Sequence, residues 1–243
     1  MKNGKRLWIL CGAVLALGAM HAQDQRAANS NSELRLRVVS SLPGKHRSVP
    51  AVIWLEPLSG TTVAHFLPHH RYTLMQKNRT FTPHLLVIPV GSIVEFPNQD
   101  PFFHNVFSLF DGKRFNLGLY EAGSSKSVTF SRAGVSYIFC NIHPEMSAVV
   151  ISLDTPLYAI ADSKDAFVLR DIPPGNYRLH VWIEGVPQSF FESLNRDVQF
   201  PPHLVDLGEI KAPMAGTGTV PHTDMYGNNY APESESPYSE SRY

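Results

Sequence analysis

The feature that most constrains the fold is a series of short apolar or alternating runs, which turn residues interrupt every few positions. From Leu34 onward, no long stretch carries apolar residues at helical spacing. Runs of roughly four to eight residues bounded by Gly, Pro, Asn, Asp or Ser are typical of β-strands joined by turns. The sequence therefore predicts an all-β fold with little helix. The predicted strands lie at 34–39, 51–55, 72–76, 85–88, 93–96, 105–108, 126–130, 135–140 and 148–153.

The chain has 243 residues, which is enough for one or two domains with their own cores. We predict a first domain at 33–153 that includes an N-terminal β extension. A small second β domain is predicted at 154–211, with strands on either side of the turn at 171–176. It has fewer than about sixty residues, so we expect part of its apolar surface to be buried against the first domain. The segment 212–243 is poor in aliphatic residues and predicts a disordered tail.

The N-terminus has the pattern of an export signal at 1–22. Basic residues precede an apolar run at 7–20, and Ala22 offers a small residue for cleavage. The run is too short for a comfortable membrane span, so we expect no stable membrane insertion after cleavage. Lys plus Arg equals Asp plus Glu, which leaves no basic field to attract nucleic acid. The sequence therefore predicts a periplasmic or otherwise exported protein.

Cleavage would remove Cys11 and leave Cys140 as the one cysteine of an exported chain. An intrachain disulfide is then impossible, and a free thiol, an intermolecular link or a metal ligand remains. His143 and Met146 follow Cys140 at intervals of three residues, and His104 lies upstream. Two imidazoles, a thiolate and a thioether suit a blue copper site with a long axial Met. A buried structural cysteine, a catalytic Cys–His pair and a zinc site are the alternatives, and the full set of four favours copper over each of them.

A larger set of motifs surrounds these four residues. They are Phe81-x-Pro83, Val87-x-x-x-Gly91-Ser92-x-Val94-x-Phe96-x-Asn98-x-Asp100, His104-Asn105-Val106 and Cys140-x-x-His143-Pro144-x-Met146.

With these motifs, the region from about 81 to 153 resembles the plastocyanin-like cupredoxins, and its Cys-x-x-His-Pro-x-Met loop resembles that of amicyanin. The resemblance covers less than half of the chain. It implies a Greek-key sandwich that holds one type 1 copper ion. His104, Cys140 and His143 would be the equatorial ligands and Met146 the axial one. Asn105 would brace the loop that carries Cys140.

Pro144, which directly follows the ligand candidate His143, is a further candidate for a residue that supports the ligands without binding the metal. The stretch 167–182 resembles a carboxypeptidase-regulatory-like β-sandwich, although Ala166 replaces the glycine usual before the Phe. The whole arrangement is similar to exported proteins grouped loosely with methylamine utilisation, a label that does not establish methylamine as a substrate.

From these features we predict a protein that transfers single electrons between a donor and an acceptor redox protein, and that is not an enzyme. Electrons are expected to pass through His143, whose ring edge should reach the surface. The alternative is a copper carrier or sensor, to which the tract His65, His69 and His70 gives some support. The small C-terminal domain could also be a docking unit. The role of His84 does not follow from spacing.

Overall fold

The computed structural model describes residues 31–40, 48–67, 71–109, 112–201, 204–213 and 222–230. These residues form seventeen strands and one short helix, so the predicted all-β fold is confirmed. Within the same ranges, no helix is long and apolar enough to cross a membrane. The predicted export signal at 1–22, including Cys11, lies outside the described residues.

The central part of the chain forms a first unit with two sheets and a two-stranded ribbon. A five-stranded sheet has the order β6-β12-β11-β8-β9, and a three-stranded sheet has the order β10-β7-β3. The ribbon pairs β4 with β5. The strands are β3 (Arg71–Thr73), β4 (Met75–Lys77), β5 (Thr80–Thr82), β6 (Leu85–Pro89), β7 (Ile93–Pro97), β8 (His104–Ser108), β9 (Phe115–Tyr120), β10 (Ser125–Thr129), β11 (Gly134–Cys140) and β12 (Ser147–Leu153).

The two ends of the chain together form a second unit. Its sheets have the orders β14-β1-β17 and β13-β2-β15-β16. The elements are β1 (Ser32–Ser40), β2 (Ala51–Pro57), β13 (Tyr158–Ile160), β14 (Ala166–Ile172), β15 (Gly175–Ile183), helix α1 (Gln188–Leu194), β16 (Arg196–Phe200) and β17 (Leu204–Ala212).

The strand pairing places the N-terminal strands differently from the predicted β extension of the first domain. Strand β1 lies antiparallel to β14 and parallel to β17, and β2 lies between β13 and β15. In β1 the buried residues Leu34, Leu36 and Val38 alternate with exposed Arg35 and Arg37. Such alternation shows which face of a strand is buried, but it does not identify the neighbouring strand. The segment 32–57 therefore completes the C-terminal sheets.

The two units share an apolar cluster. Val52 and Trp182 of the second unit pack with Val149 and Ile151 of β12, and all four are almost completely buried. The Trp182 indole N–H also donates a hydrogen bond to the Tyr137 hydroxyl at 3.1 Å. The second unit thereby covers the back of the five-stranded sheet.

The structure describes residues 222–230 of the segment that was predicted to be a disordered tail. Residues 222–230 form a compact turn, in which one Asp224 carboxylate oxygen accepts the backbone N–H groups of Tyr226 at 2.9 Å and Asn228 at 2.7 Å. The composition of the tail indicated too little aliphatic surface to drive folding. Within 222–230, hydrogen bonds and aromatic rings hold this turn instead, while the disorder of the segment 212–243 stays a prediction.

Candidate metal centre

Two neighbouring strands bring the first two predicted ligands together. Strand β8 begins at His104 and is buried along its whole length. Strand β11 ends at Cys140, which lies opposite Val106 in the antiparallel pairing of the two strands. The first residue of β8 and the last residue of β11 therefore lie at the same end of these two neighbouring strands. His104 and Cys140 are both completely buried there.

The donor atoms of His104, Cys140 and His143 converge on one point. The Cys140 Sγ atom lies 3.6 Å from His104 Nδ1 and 3.5 Å from His143 Nδ1, and the two Nδ1 atoms are 3.1 Å apart. An ion at about 2.0 Å from each nitrogen and about 2.3 Å from the sulfur would hold such donors roughly 3.3–3.7 Å apart. The arrangement therefore fits a metal ion with two imidazole ligands and one thiolate ligand.

The loop after β11 carries the remaining predicted ligand. The Cys140 N–H donates to the Met146 carbonyl at 3.3 Å, and the Met146 N–H donates to the His143 carbonyl at 3.1 Å. These bonds close a short loop whose turn, Pro144-Glu145, is exposed. Met146 is completely buried in the same apolar cluster as Cys140. Its role as the fourth ligand stays a prediction.

Burial sets the protonation states of the three donors. It lowers the pKa of His143 to about 4, and the neighbouring His104 contributes to this. Burial also lowers the pKa of His104, although Asp100 acts in the opposite direction. Burial raises the pKa of the Cys140 thiol against the backbone N–H groups that face it. At neutral pH both imidazoles are thus uncharged, the form that binds metals, and metal binding would displace the thiol proton.

A buried carboxylate orients His104. The His104 Nε2–H donates to Asp100 Oδ2 at 2.9 Å, so Nδ1 keeps its lone pair directed into the centre. The same carboxylate accepts the backbone N–H groups of Asn78 at 2.5 Å and Arg79 at 3.0 Å. Burial raises the pKa of Asp100, but these hydrogen bonds outweigh burial, and the pKa lies below its usual value. Asp100 therefore stays ionised against the imidazole, an arrangement that strengthens a metal-binding His.

The His143 ring edge, which was expected to reach the surface, is buried in this structure, and the passage of electrons through His143 stays a prediction. The His143 side chain is only 5% exposed, and its Nε2 atom is buried without a hydrogen-bond partner among the described residues. The Phe102 ring covers the centre, with its centroid 5.4 Å from that of His143 and 5.3 Å from that of His104. The Arg79 guanidinium lies over the Phe102 ring at 5.7 Å. A short terminal loop indicated exposure, but it did not indicate that Phe102 folds over the ring.

The two residues predicted to support the ligands contact the loop in different ways. The Asn105 carbonyl accepts the Asn141 N–H at 2.9 Å, so its backbone ties β8 to the ligand loop. The Asn105 side-chain oxygen is buried without a hydrogen-bond partner in the described part of the chain. Pro144 occupies the exposed turn of the loop. The part that either side chain plays in metal binding stays a prediction.

The other histidines lie apart from this cluster. Both ring nitrogens of His84 face acceptors, with Nδ1 at 3.1 Å from the Ser147 carbonyl and Nε2 at 2.6 Å from Glu184 Oε1. His84 therefore connects the end of the ligand loop to the second unit. His65 is exposed, while His69 and His70 lie outside the described residues. Among the described residues, the one group of His, Cys and acidic side chains arranged to hold a metal is His104, Cys140 and His143.

The sequence reading missed the role of Asp100 and that of Phe102. Asp100 is the last residue of the motif at 87–100 described above, and it lies four residues before His104. That spacing alone does not direct a loop carboxylate towards the ring. The described residues thus define an all-β protein with a buried centre of two histidines and one cysteine.

No family model and no curated protein matches the chain. Among solved structures, a purple cupredoxin from Nitrosopumilus maritimus aligns with 35% of this chain and 100% of its own length, at 26% identity and a TM-score of 0.31. A copper-containing nitrite reductase from Thermus scotoductus SA-01 aligns with 41% of this chain, at 26% identity and a TM-score of 0.33, over 26% of its own length. A reduced amicyanin variant aligns with 34% of this chain and 81% of its own, at 22% identity and a TM-score of 0.32.

The structural neighbours are thus cupredoxins and a copper enzyme, each aligned with less than half of this chain. At TM-scores this low, the likeness decides nothing about function, which has to rest on the centre itself. The resemblance of the C-terminal unit to a carboxypeptidase-regulatory-like sandwich and the grouping with methylamine utilisation stay predictions.

Proposed function

We propose that this chain is an exported, mononuclear type 1 copper protein that passes single electrons between a donor and an acceptor redox protein. The observation that carries the proposal is the convergence of the His104, Cys140 and His143 donor atoms at 3.1–3.6 Å. Met146 is buried at the end of the same loop and would be the weak fourth ligand. Bound copper supplies one-electron oxidation and reduction, and this ligand set is the one that blue copper centres use.

The chain's own residues would serve this function by holding one geometry in both oxidation states. The imidazoles of His104 and His143 are neutral and direct Nδ1 towards the thiol, and Asp100 fixes the orientation of His104. Strand pairing fixes the backbone of His104 and Cys140. Side chains locked by packing and by outer hydrogen bonds rearrange little, which is what rapid electron transfer needs.

We place the protein among electron carriers rather than enzymes because the centre is closed. The side chains of His104, Cys140 and Met146 are completely buried, and Phe102 covers the two imidazoles. A substrate would need an open coordination position, which catalytic metal sites keep and this arrangement of buried donors does not favour. The proposed partners are therefore redox proteins, and the apparent export signal at 1–22 suggests that they lie outside the cytoplasm.

The test is an optical spectrum of the protein reconstituted with Cu(II), compared with Cys140→Ser. We expect an intense visible band from charge transfer between the thiolate and copper, lost in the variant and bleached reversibly by ascorbate. Met146→Leu should shift that band, because it replaces the thioether with an isosteric alkyl group. Met75→Leu is the matched control, since Met75 lies on strand β4, outside the group of donor residues.

A colourless copper-loaded protein, or a spectrum that is the same in Cys140→Ser, would overturn the proposal. A protein that binds copper, fails to cycle with ascorbate and gives up the ion to a chelator would instead be a carrier. A protein that binds no copper would leave a structural β-sandwich without a redox role.

A further inference from the structure

The ordered segment 222–230, here called the C-terminal strap, contacts the backbone that leads into the candidate metal centre. The Tyr230 hydroxyl donates a hydrogen bond to the Cys140 carbonyl at 3.0 Å. The Met225 N–H donates to Asn141 Oδ1 at 2.8 Å. The His222 ring stacks on the Phe139 ring, with centroids 3.9 Å apart and planes 17° apart.

These three contacts fall on three consecutive residues. Residues 139–141 are the last two of β11 and the first of the ligand loop, so they set the position and direction of the Cys140 side chain. This backbone is also bonded to β8, because the Asn105 carbonyl accepts the Asn141 N–H. The strap therefore supplies an outer set of contacts at the point where the chain leaves the sheet.

The strap also has the internal structure that a fixed contact requires. Asp224 braces its turn through the Tyr226 and Asn228 N–H groups, and the His222 and Tyr230 rings meet edge to face at 5.3 Å. Asn116 of β9 donates a hydrogen bond to the Met225 sulfur at 3.5 Å. The strap is thus attached to two strands of the first unit, although it follows the last strand of the second unit.

We propose that the strap clamps the cysteine side of the metal centre, with Tyr230 as a positioning residue that acts through the Cys140 carbonyl. The strap would keep the thiol buried in the metal-free protein and hold the loop in its binding conformation. The effect of this clamp on copper binding rests on the proposed function. Its effect on the metal-free ligand loop does not, and can be tested without metal.

The physical consequence concerns local opening of the ligand loop. Cys140 is completely buried, so a small thiol reagent reacts with it only when the chain opens. A hydrogen bond that exists only in the closed state lowers the population of the open state. The net contribution of one such bond corresponds to roughly a two- to tenfold change in that population.

The experiment measures the rate at which iodoacetamide alkylates Cys140 in the metal-free full chain. The mass of the peptide that contains Cys140 reports the extent of alkylation at each time. Tyr230→Phe removes only the hydroxyl, and we expect alkylation about two- to tenfold faster than in the wild type. His222→Ala removes the stack on Phe139 and should also speed alkylation. It keeps the proposal testable if Tyr230→Phe folds poorly.

Two matched variants control for other causes. Tyr226→Phe changes an exposed strap tyrosine, 76% accessible, and should leave the rate unchanged. Tyr177→Phe removes a comparable hydrogen bond in the second unit, where the hydroxyl donates to the Pro173 carbonyl at 2.8 Å. If alkylation required global unfolding, Tyr177→Phe would speed it as much as Tyr230→Phe does.

An unchanged rate in both Tyr230→Phe and His222→Ala would overturn the clamp, and so would an equal acceleration in Tyr177→Phe. The copper-loaded protein supplies a separate readout. Tyr230→Phe should release copper to a chelator faster and move the visible band, whereas Tyr226→Phe should do neither. Failure of the wild type to form a coloured centre would refute the proposed function, while the alkylation rates would still decide whether the strap holds Cys140.

Discussion

Replacement of Asp100 by Asn should weaken copper binding while it preserves the shape of the site. The Asp100 carboxylate is buried and accepts three hydrogen bonds, from His104 Nε2 and from the backbone N–H groups of Asn78 and Arg79. An Asn side chain has one oxygen and one NH2 group, so it cannot accept at both positions. The substitution also removes the negative charge that increases the basicity of the imidazole.

The expected magnitude follows from the position of Asp100 directly behind a ligand. Loss of such a partner of a metal-binding His typically costs about 10- to 100-fold in metal affinity, or roughly 1.4–2.8 kcal/mol. The negative charge of Asp100 stabilises Cu(II) more than Cu(I). Its removal should therefore raise the reduction potential. Each tenfold difference between the two oxidation states corresponds to about 59 mV.

The assay is competition for Cu(II) and Cu(I) with chelators of known affinity, together with a redox titration of the visible band. Asn78 and Arg79 both have a φ of 53°, so the loss of their bonds to Asp100 could also loosen the β4-β5 turn. Urea unfolding of the metal-free proteins separates that effect. The control is Asp162→Asn, because Asp162 braces an exposed turn of the second unit through Lys164 and Ala166. Unchanged copper affinity and potential in Asp100→Asn would refute the reasoning.

Two further predictions concern stability. The hydrogen bond to Glu184 raises the pKa of His84, so the pair stabilises the fold fully below the unfolded pKa of about 6.5 and less as the pH rises through the raised folded value. The difference in unfolding free energy between wild type and His84→Gln, measured in urea, should be largest near pH 6 and shrink towards alkaline pH; a difference that grows with pH would contradict this. Gly112→Ala should destabilise the fold by about 1–3 kcal/mol, because its Cβ would lie 2.6 Å from Ser136 Oγ and 2.7 Å from the Val135 carbonyl oxygen. A urea midpoint equal to that of the wild type would contradict this, because it would mean that β11 moves to accommodate the Cβ with no loss of unfolding free energy.

The sequence predicted the strands well because their signals are local. Alternation in β1 and the compact runs of β7, β11 and β12 are visible within five to nine residues. Strand β9 (Phe115–Tyr120) was missed because Asn116 and Gly118, which has a φ of +67°, interrupt its apolar residues. Such a strand becomes visible only through its partner, β8. Local pattern thus predicts most strands, but it does not predict those that depend on a neighbour.

The donor cluster was predictable for a similar reason. Cys140 and His143 lie three residues apart on one loop, and the shared motifs placed His104 on the strand next to Cys140. What could not be predicted are contacts between distant segments. His84 and Glu184 are 100 residues apart, and Tyr230 and Cys140 are 90 residues apart. No periodicity connects such pairs, and a segment of low aliphatic content such as the strap gives no signal of burial at all.

Those distant contacts bear on the choice between an electron carrier and a copper carrier. The ligand loop begins at Cys140, which the strap holds through Tyr230, and it ends before Ser147, whose carbonyl accepts a hydrogen bond from His84. Through Glu184, His84 is also joined to the second unit. Both ends of the loop are therefore fixed by residues from outside the two strands that carry the donors. A protein that must release its metal needs a loop that opens readily, whereas an electron carrier needs one that keeps its shape. The double attachment favours the electron carrier, and it predicts that loosening either end, by Tyr230→Phe or His84→Gln, should speed copper release.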